Sequence, residues 1–266
     1  MLFILSTRCC YAQDTIPAVT TDTMAVTGFD STAEENTLYK PGWPYVKSYW
    51  TDLKHVVSRP AHWKGKDFRN FAIFAGVTGS VFALDWEIKR IAQSNQNQFS
   101  SEVAHVVEPF GNKYGVYLFP VMYVAGLATK EKKMQSAALG GMKSLAISTL
   151  IYTSAKLVIR RNRPDAANSS LDFAPPFMRK TYTSSPSGHS NTIFTVATAL
   201  ALEYRETKWV PIVAYTIAGL TAFSRVYHNR HWASDIVVGS ALGHFVTRAV
   251  WNNNNKKNKL RQVRGL

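Results

Sequence analysis

Apolar residues recur at helical spacing in six stretches of this chain, roughly 70–84, 115–128, 136–159, 189–204, 209–224 and 234–250. Polar breaks such as Lys130 to Lys133 and Glu203 to Lys208 divide them. Small residues run through them, among them Gly76, Gly79, Gly126, Gly140, Gly141, Gly219, Gly239 and Gly243, and permit close helix–helix approach. The pattern predicts an all-α fold, a bundle of about six main helices filling residues 67–250. A membrane span needs about 20 apolar residues. The 70–84 and 115–128 stretches fall short, Lys143 interrupts 136–159, and the 209–224 run is apolar for about 15 residues. Such lengths suit a globular core as well as a bilayer.

The flanks read differently. Residues 1–13 hold a short apolar run, Leu2 to Leu5, and a small-x-small pattern, Cys10-Tyr11-Ala12. This predicts the end of a secretory signal peptide and so an exported protein of the cell envelope. A lipoprotein reading is weaker, because Arg8 stands before Cys9 where a small residue belongs. Residues 14–66 form a polar, Thr-rich linker followed by an aromatic segment with Trp43, Tyr45, Tyr49, Trp50 and Trp63. That segment is expected either at a membrane interface or as a lid on the core. Residues 251–266 are expected to be a basic tail, with Lys256, Lys257, Lys259, Arg261 and Arg264 after an Asn run.

Composition narrows the partner. With 46% hydrophobic and 12% aromatic residues the chain has material for a sizeable core, which excludes a disordered chain. A net charge of +14 calls for an anion: a phosphorylated substrate or acidic lipid head groups. Nucleic acid is not expected, because the basic residues are scattered through apolar segments and form no recognisable binding module. The adjacent pair Cys9 and Cys10 supplies neither a disulfide framework nor a metal site.

Three short segments have chemistry in them. In Lys156-x6-Arg163-Pro164 the two cations lie two helical turns apart, and Pro164 is expected to end the helix. Both can face one phosphate, Lys as a point charge and Arg as a fork. In Pro186-Ser187-Gly188-His189 a helix opens on free backbone N–H groups, an anion site in itself. Ser187 adds a hydroxyl, Gly188 lets the backbone come close, and His189 stands beside the anion. In Ser224-Arg225-x5-His231-x3-Asp235 the His and Asp are four apart. One turn of helix then brings Asp235 to the Nδ1 of His231 and leaves Nε2 bare. Arg225 adds a third cation, and His228 and Arg230 read as rim residues. Each segment alone has a plain explanation: a basic helix end, an N-cap serine, a surface ion pair. Together they assemble a metal-free phosphoryl-transfer site.

The combined pattern, over residues 156–235, resembles the type-2 phosphatidate phosphatase superfamily. The resemblance implies a helical bundle with its active site at helix ends and loops, and a phosphoric ester hydrolase without metal or other cofactor. It implies that Lys156, Arg163, Arg225, Ser187 and Gly188 hold the phosphate. It further implies that His231 attacks phosphorus, His189 protonates the leaving oxygen, and Asp235 holds His231. The basic charge, aromatic segment and apolar helices favour a phosphorylated lipid: phosphatidate, phosphatidylglycerophosphate, undecaprenyl diphosphate or a lipid A phosphate. Thr183-Ser184-Ser185 leans away from the broad-specificity acid phosphatases, which usually have Gly-Ser-Tyr there. The vanadium haloperoxidases share the cradle, and a non-catalytic phospholipid-binding protein that keeps the fold is the alternative from another class.

Overall fold

The computed structural model describes residues 41–179 and 181–264. The expected signal peptide, the adjacent cysteines and most of the polar linker lie outside them. The helices are α1 (Trp43–Ser58), α2 (Gly65–Ala83), α3 (Asp85–Ser94), α4 (Gln98–Val107), α5 (Lys113–Ala128), α6 (Lys132–Ile159), α7 (Gly188–Glu203), α8 (Trp209–Tyr227) and α9 (Ala233–Arg264). Two 3-10 turns, Arg59–His62 and Glu108–Gly111, join them. Among the described residues there is no strand, only an isolated bridge between Arg161 and Phe173. The all-α expectation holds, and the six apolar stretches are α2 and α5 to α9. Helices α1, α3 and α4 are additions to the predicted six. Helix α3 (DWEIKRIAQS) is polar on average and α1 opens on aromatic residues and a proline, so neither stands out as an apolar stretch.

Helix α7 is the axle, packed by α5, α6, α8 and α9. Its contact with α9 is backbone-close. A Cβ on Gly239 would run into the Ser187 carbonyl, and one on Gly243 into that of Asn191. These two glycines, one turn apart, seat the N-terminus of α7 against α9.

Beside an apolar core of Phe119, Ile193, Val196 and Trp251, the interior holds many small hydroxylated side chains. Ser136, Ser144 and Ser148 of α6, Thr192, Thr195 and Thr198 of α7, Thr221 of α8 and Thr247 of α9 are all buried. Large apolar side chains face outward instead: Val116, Tyr117, Val121 and Val124 on α5, and Trp209, Ile212, Leu220 and Phe223 on α8. This reverses the distribution of a water-soluble bundle and suits helices surrounded by lipid tails. Two of the described helices, α6 and α8, are long and apolar enough to cross a membrane. The pair α2 and α3, bent by 55°, makes a third if it counts as one span.

Lys143 does not spoil α6, because it has a partner. Its ammonium is buried, 2.5 Å from Asp52 of α1, and donates to Ser48 Oγ at 3.0 Å. Asp52 also accepts from Asn253 (2.7 Å) and Lys257 (2.8 Å). The aromatic segment is therefore docked on the bundle through α1, where Tyr45 also donates to the Leu139 carbonyl. The expected tail continues α9 through Arg264, and Lys257 is pinned to Asp52.

Candidate active site

The site forms where the C-terminal end of α6, the N-terminal end of α7 and the α8–α9 loop meet. Helix α6 stops at Ile159, five residues before Pro164, so Pro164 is not what ends it. Arg160 takes a left-handed conformation (φ 46°) and donates its N–H to Lys156 O. The chain then pairs with residues 172–174 through Asn162 N–H to Asp172 O (2.9 Å) and Ala174 N–H to Arg160 O (2.8 Å). Lys156 and Arg163 therefore do not share a helix face, contrary to the two-turn reading. They meet nonetheless at Thr183: Lys156 donates to its carbonyl, and Arg163 Nη2 to its hydroxyl at 3.3 Å.

Thr183 leads into the turn before α7. Ser187 is the N-cap, buried, and its Oγ accepts from Ser190 N–H (3.4 Å) and Ser190 Oγ (3.0 Å). Ser187 N–H donates to the Asp235 carbonyl at 3.0 Å, locking the α7 start to α9. His189 follows in the first turn, pressed by the Glu108–Gly111 turn. A Cβ on Gly111 would lie 2.9 Å from that of His189.

The third segment leaves α8 after Tyr227 and folds back on it. Arg230 and His231 both donate backbone N–H groups to the Arg225 carbonyl, at 2.9 and 3.3 Å. His231 sits in this loop, before α9 begins, so no helical register relates it to Asp235. Its Nδ1 lies 2.7 Å from the Ser184 carbonyl. A carbonyl only accepts, so Nδ1 bears the proton and Nε2 keeps a free lone pair. The expected Asp235–His231 hydrogen bond is thus replaced by Ser184. Asp235 instead accepts from Arg161 Nη1 (2.9 Å), Ser184 Oγ (2.5 Å) and Trp232 N–H (3.1 Å). It acts on His231 only through Ser184 and the loop.

Arg161 lies inside the first motif, where spacing assigns it no role, yet it organises the interior behind the site. It reaches Asp235, Ser234 Oγ (2.8 Å), Asp85 (2.7 Å) and the Ser170 carbonyl (2.8 Å) from a buried position. Asp85, at the start of α3, takes Ser234 N–H at 2.9 Å. Glu108 is a second residue that the sequence pattern does not reveal. It forms an ion pair with Arg225, and its second oxygen lies 3.1 Å from Nδ1 of His228. Neither carboxylate belongs to a motif; only folding brings them near.

The charges explain the protonation states. Burial, followed by the positive charges of Lys156, Arg163 and Arg225, pushes the His231 pKa well below its usual value, against the pull of the Ser184 carbonyl. His231 is a neutral base. His189 is pushed down to about 4 by burial and by Arg225, with Glu108 pulling the other way. Burial works to raise the Glu108 pKa, but the Arg225 pair and His228 outweigh it, so Glu108 is a carboxylate. Arg225 itself is buried, with Nη1 on Glu108 and Nε without a partner. A buried guanidinium edge with no acceptor suits an anion. Three cations from two segments, a neutral histidine, a second histidine and a helix N-terminus gather here, an arrangement that suits an anion.

The comparisons agree with this geometry. Residues 138–259 match the model of the PAP2 superfamily. It is 37% identical over 115 residues to a lipid A 1-phosphatase of Porphyromonas gingivalis, a match covering 42% of this chain and 22% of that protein. The chain thus spans about a fifth of that relative's length. An undecaprenyl-diphosphatase of Sulfolobus acidocaldarius is 26% identical over 182 residues, 68% of this chain and 84% of the relative. The fold resembles the crystal structure of a transmembrane PAP2-type phosphatidylglycerolphosphate phosphatase from Bacillus subtilis. The TM-score is 0.54 at 26% identity, over 71% of this chain and 94% of that one.

Proposed function

We propose that this chain is a membrane-embedded lipid phosphatase that hydrolyses a phosphomonoester or diphosphate through a phosphohistidine, without a metal ion. The observation that supports it most is the convergence of Lys156, Arg163 and Arg225 on His231, whose Nε2 is free and whose ring is neutral. In the first step Nε2 of His231 attacks phosphorus, the bond from phosphorus to the leaving oxygen breaks, and His189 gives that oxygen a proton. In the second step water attacks the phosphohistidine, His189 takes the water's proton, and phosphate leaves. Lys156, Arg163, Arg225, Ser187 and the Gly188 N–H hold the equatorial oxygens, where charge spreads in the transition state. The outward apolar faces of α5 and α8 support a bilayer location. Export, with the site on the periplasmic or outer face, is part of the same proposal. The named activities of the relatives make lipid A phosphates, undecaprenyl diphosphate and phosphatidylglycerophosphate the substrates to try, beside phosphatidate.

The test is phosphate release from these lipids and from p-nitrophenyl phosphate in the presence of EDTA. The expected result is lipid turnover unchanged by chelator. Activity lost to EDTA and restored by a divalent ion would overturn the mechanism.

The pH profile is a further expected outcome. His231 is neutral down to well below pH 6.5, so it imposes no loss as pH falls through the usual histidine range. The proton on His189 is held only weakly in the free enzyme, with a pKa of about 4. A bound phosphate offsets the surrounding cations and tightens its hold on that proton. With the substrate's own ionisation near pH 6 divided out, kcat/KM should fall as pH rises from 5 to 8. The basic limb of kcat should lie at higher pH than that of kcat/KM. A corrected kcat/KM that climbs over this range would remove His189 as the acid.

A further inference from the structure

An open cleft of about 620 Å³ adjoins the cradle at Arg225. Gln93, Glu108, Asp165, Arg225, His228 and Arg230 are among the residues that line it. Its charges are already paired with one another. Arg225 is held by Glu108, Arg230 by Asp165 at 3.0 Å, and His228 by the second oxygen of Glu108 at 3.1 Å. Two guanidinium groups and two carboxylates cancel, in a chain whose net charge is +14. Gln93 donates to the carbonyls of Val226 and Tyr227, which fixes that wall to the end of α8.

A surface of this kind discriminates between headgroups. A second phosphate leaving the cradle here would bring its negative charge against Glu108 and Asp165, and the nearby cations are engaged by those same carboxylates. Hydroxyl groups meet no such penalty: they can donate to the carboxylates and accept from the guanidinium and imidazole N–H groups.

We propose that this cleft is a subsite for an uncharged, hydroxyl-rich headgroup, a sugar or a glycerol attached to the scissile phosphate, and that Glu108 turns away a second phosphate. The proposal rests on the reading that Lys156, Arg163 and Arg225 hold the scissile phosphate. Glu108 is then a specificity residue, placed so that Nη1 of Arg225 stays with the protein while Nε faces the substrate.

The experiment compares steady-state hydrolysis by the full chain in detergent micelles, wild type beside Glu108→Gln and Asp165→Asn. The probes are p-nitrophenyl phosphate, lysophosphatidate (a hydroxylated glycerol on the scissile phosphate and no second phosphate), an acylated disaccharide 1-phosphate and undecaprenyl diphosphate. Wild type should favour at least one of the hydroxylated lipids over the diphosphate by on the order of tenfold in kcat/KM. Each variant should shrink that ratio several-fold, Glu108→Gln the more, by raising relative turnover of the diphosphate. The better of the two hydroxylated lipids identifies the headgroup as sugar or glycerol. If wild type turns over the aryl phosphate but shows no such preference, the subsite is overturned and the phosphatase reading survives. Ratios unmoved in both variants overturn the subsite in the same way. No phosphate release from any probe overturns the phosphatase reading, and the subsite with it.

Discussion

Replacing His231 with Ala should lower phosphate release from every substrate by on the order of 10⁴-fold or more. The size of the effect follows from the absence of a stand-in. His231 is buried, its Nδ1–H is tied to the Ser184 carbonyl, and its ring lies within the field of the three cations. His189 lies on α7 and His228 is engaged by Glu108, so neither is placed to take over the attack. The check is a substrate labelled in the phosphate, mixed with enzyme and quenched in alkali, where a phosphohistidine persists. Wild type should retain label on the protein and the variant none. Label retained by a folded His231→Ala protein would move the nucleophile elsewhere. A His189→Ala variant should still accept label from a substrate with a good leaving group, because its proton is then not needed for departure.

Replacing Arg161 with Ala should destabilise the fold by about 3–5 kcal/mol. Arg161 is 2% exposed and joins two carboxylates that are themselves about 1% exposed, Asp85 and Asp235. Its removal leaves both buried without a cation, and also takes a donor from Ser234 Oγ and from the Ser170 carbonyl. The aromatic rings of Phe82 and Trp232, 4.8 and 5.1 Å from the guanidinium, lose their packing partner as well. Thermal unfolding in detergent, followed by tryptophan fluorescence, measures the loss. Adding Asp85→Asn to the Arg161 variant should recover part of it, because one uncompensated charge disappears. A single variant as stable as wild type would mean that these carboxylates are protonated or hydrated rather than paired. Catalysis should suffer too, since Asp235 orders Ser184, and the Ser184 carbonyl orients His231. Any activity that remains should show a lowered kcat with KM little changed.

These two outcomes test different layers of the molecule, and the layers differ in how far the sequence discloses them. The six apolar stretches correspond to six helices, because burial against neighbours imposes a period that survives in any linear reading; the polar ends are not marked by that period, so α2 starts five residues earlier than read and α9 runs on through Arg264. The motif residues that meet at the site are legible for a related reason: Lys156, Arg163, Ser187, His189, Arg225 and His231 stand at fixed offsets around helix ends. Their local geometry is not. Arg160 turns left-handed and ends α6 early, so Arg163 reaches Thr183 from a loop and not from a shared helix face. His231 precedes α9, so the four-residue spacing to Asp235 is not a helical one.

The sequence by itself determined the all-α class, the order of the main helices and which motif cations gather at the site. The tertiary structure alone decided who serves whom. It assigned Ser184 to His231, Arg161 to Asp85 and Asp235, Asp52 to Lys143, and Glu108 to Arg225. It also decided which faces of α5 and α8 point outward with large apolar side chains, and where the buried hydroxyls gather. The physical reason is range. Helical periodicity is written in neighbours three and four residues apart, whereas a buried charge selects its partner by where the chain returns in space. Asp85 lies 76 residues from Arg161, and Glu108 lies 117 from Arg225. No spacing rule spans such separations; a buried ion must find its counter-charge wherever packing delivers it.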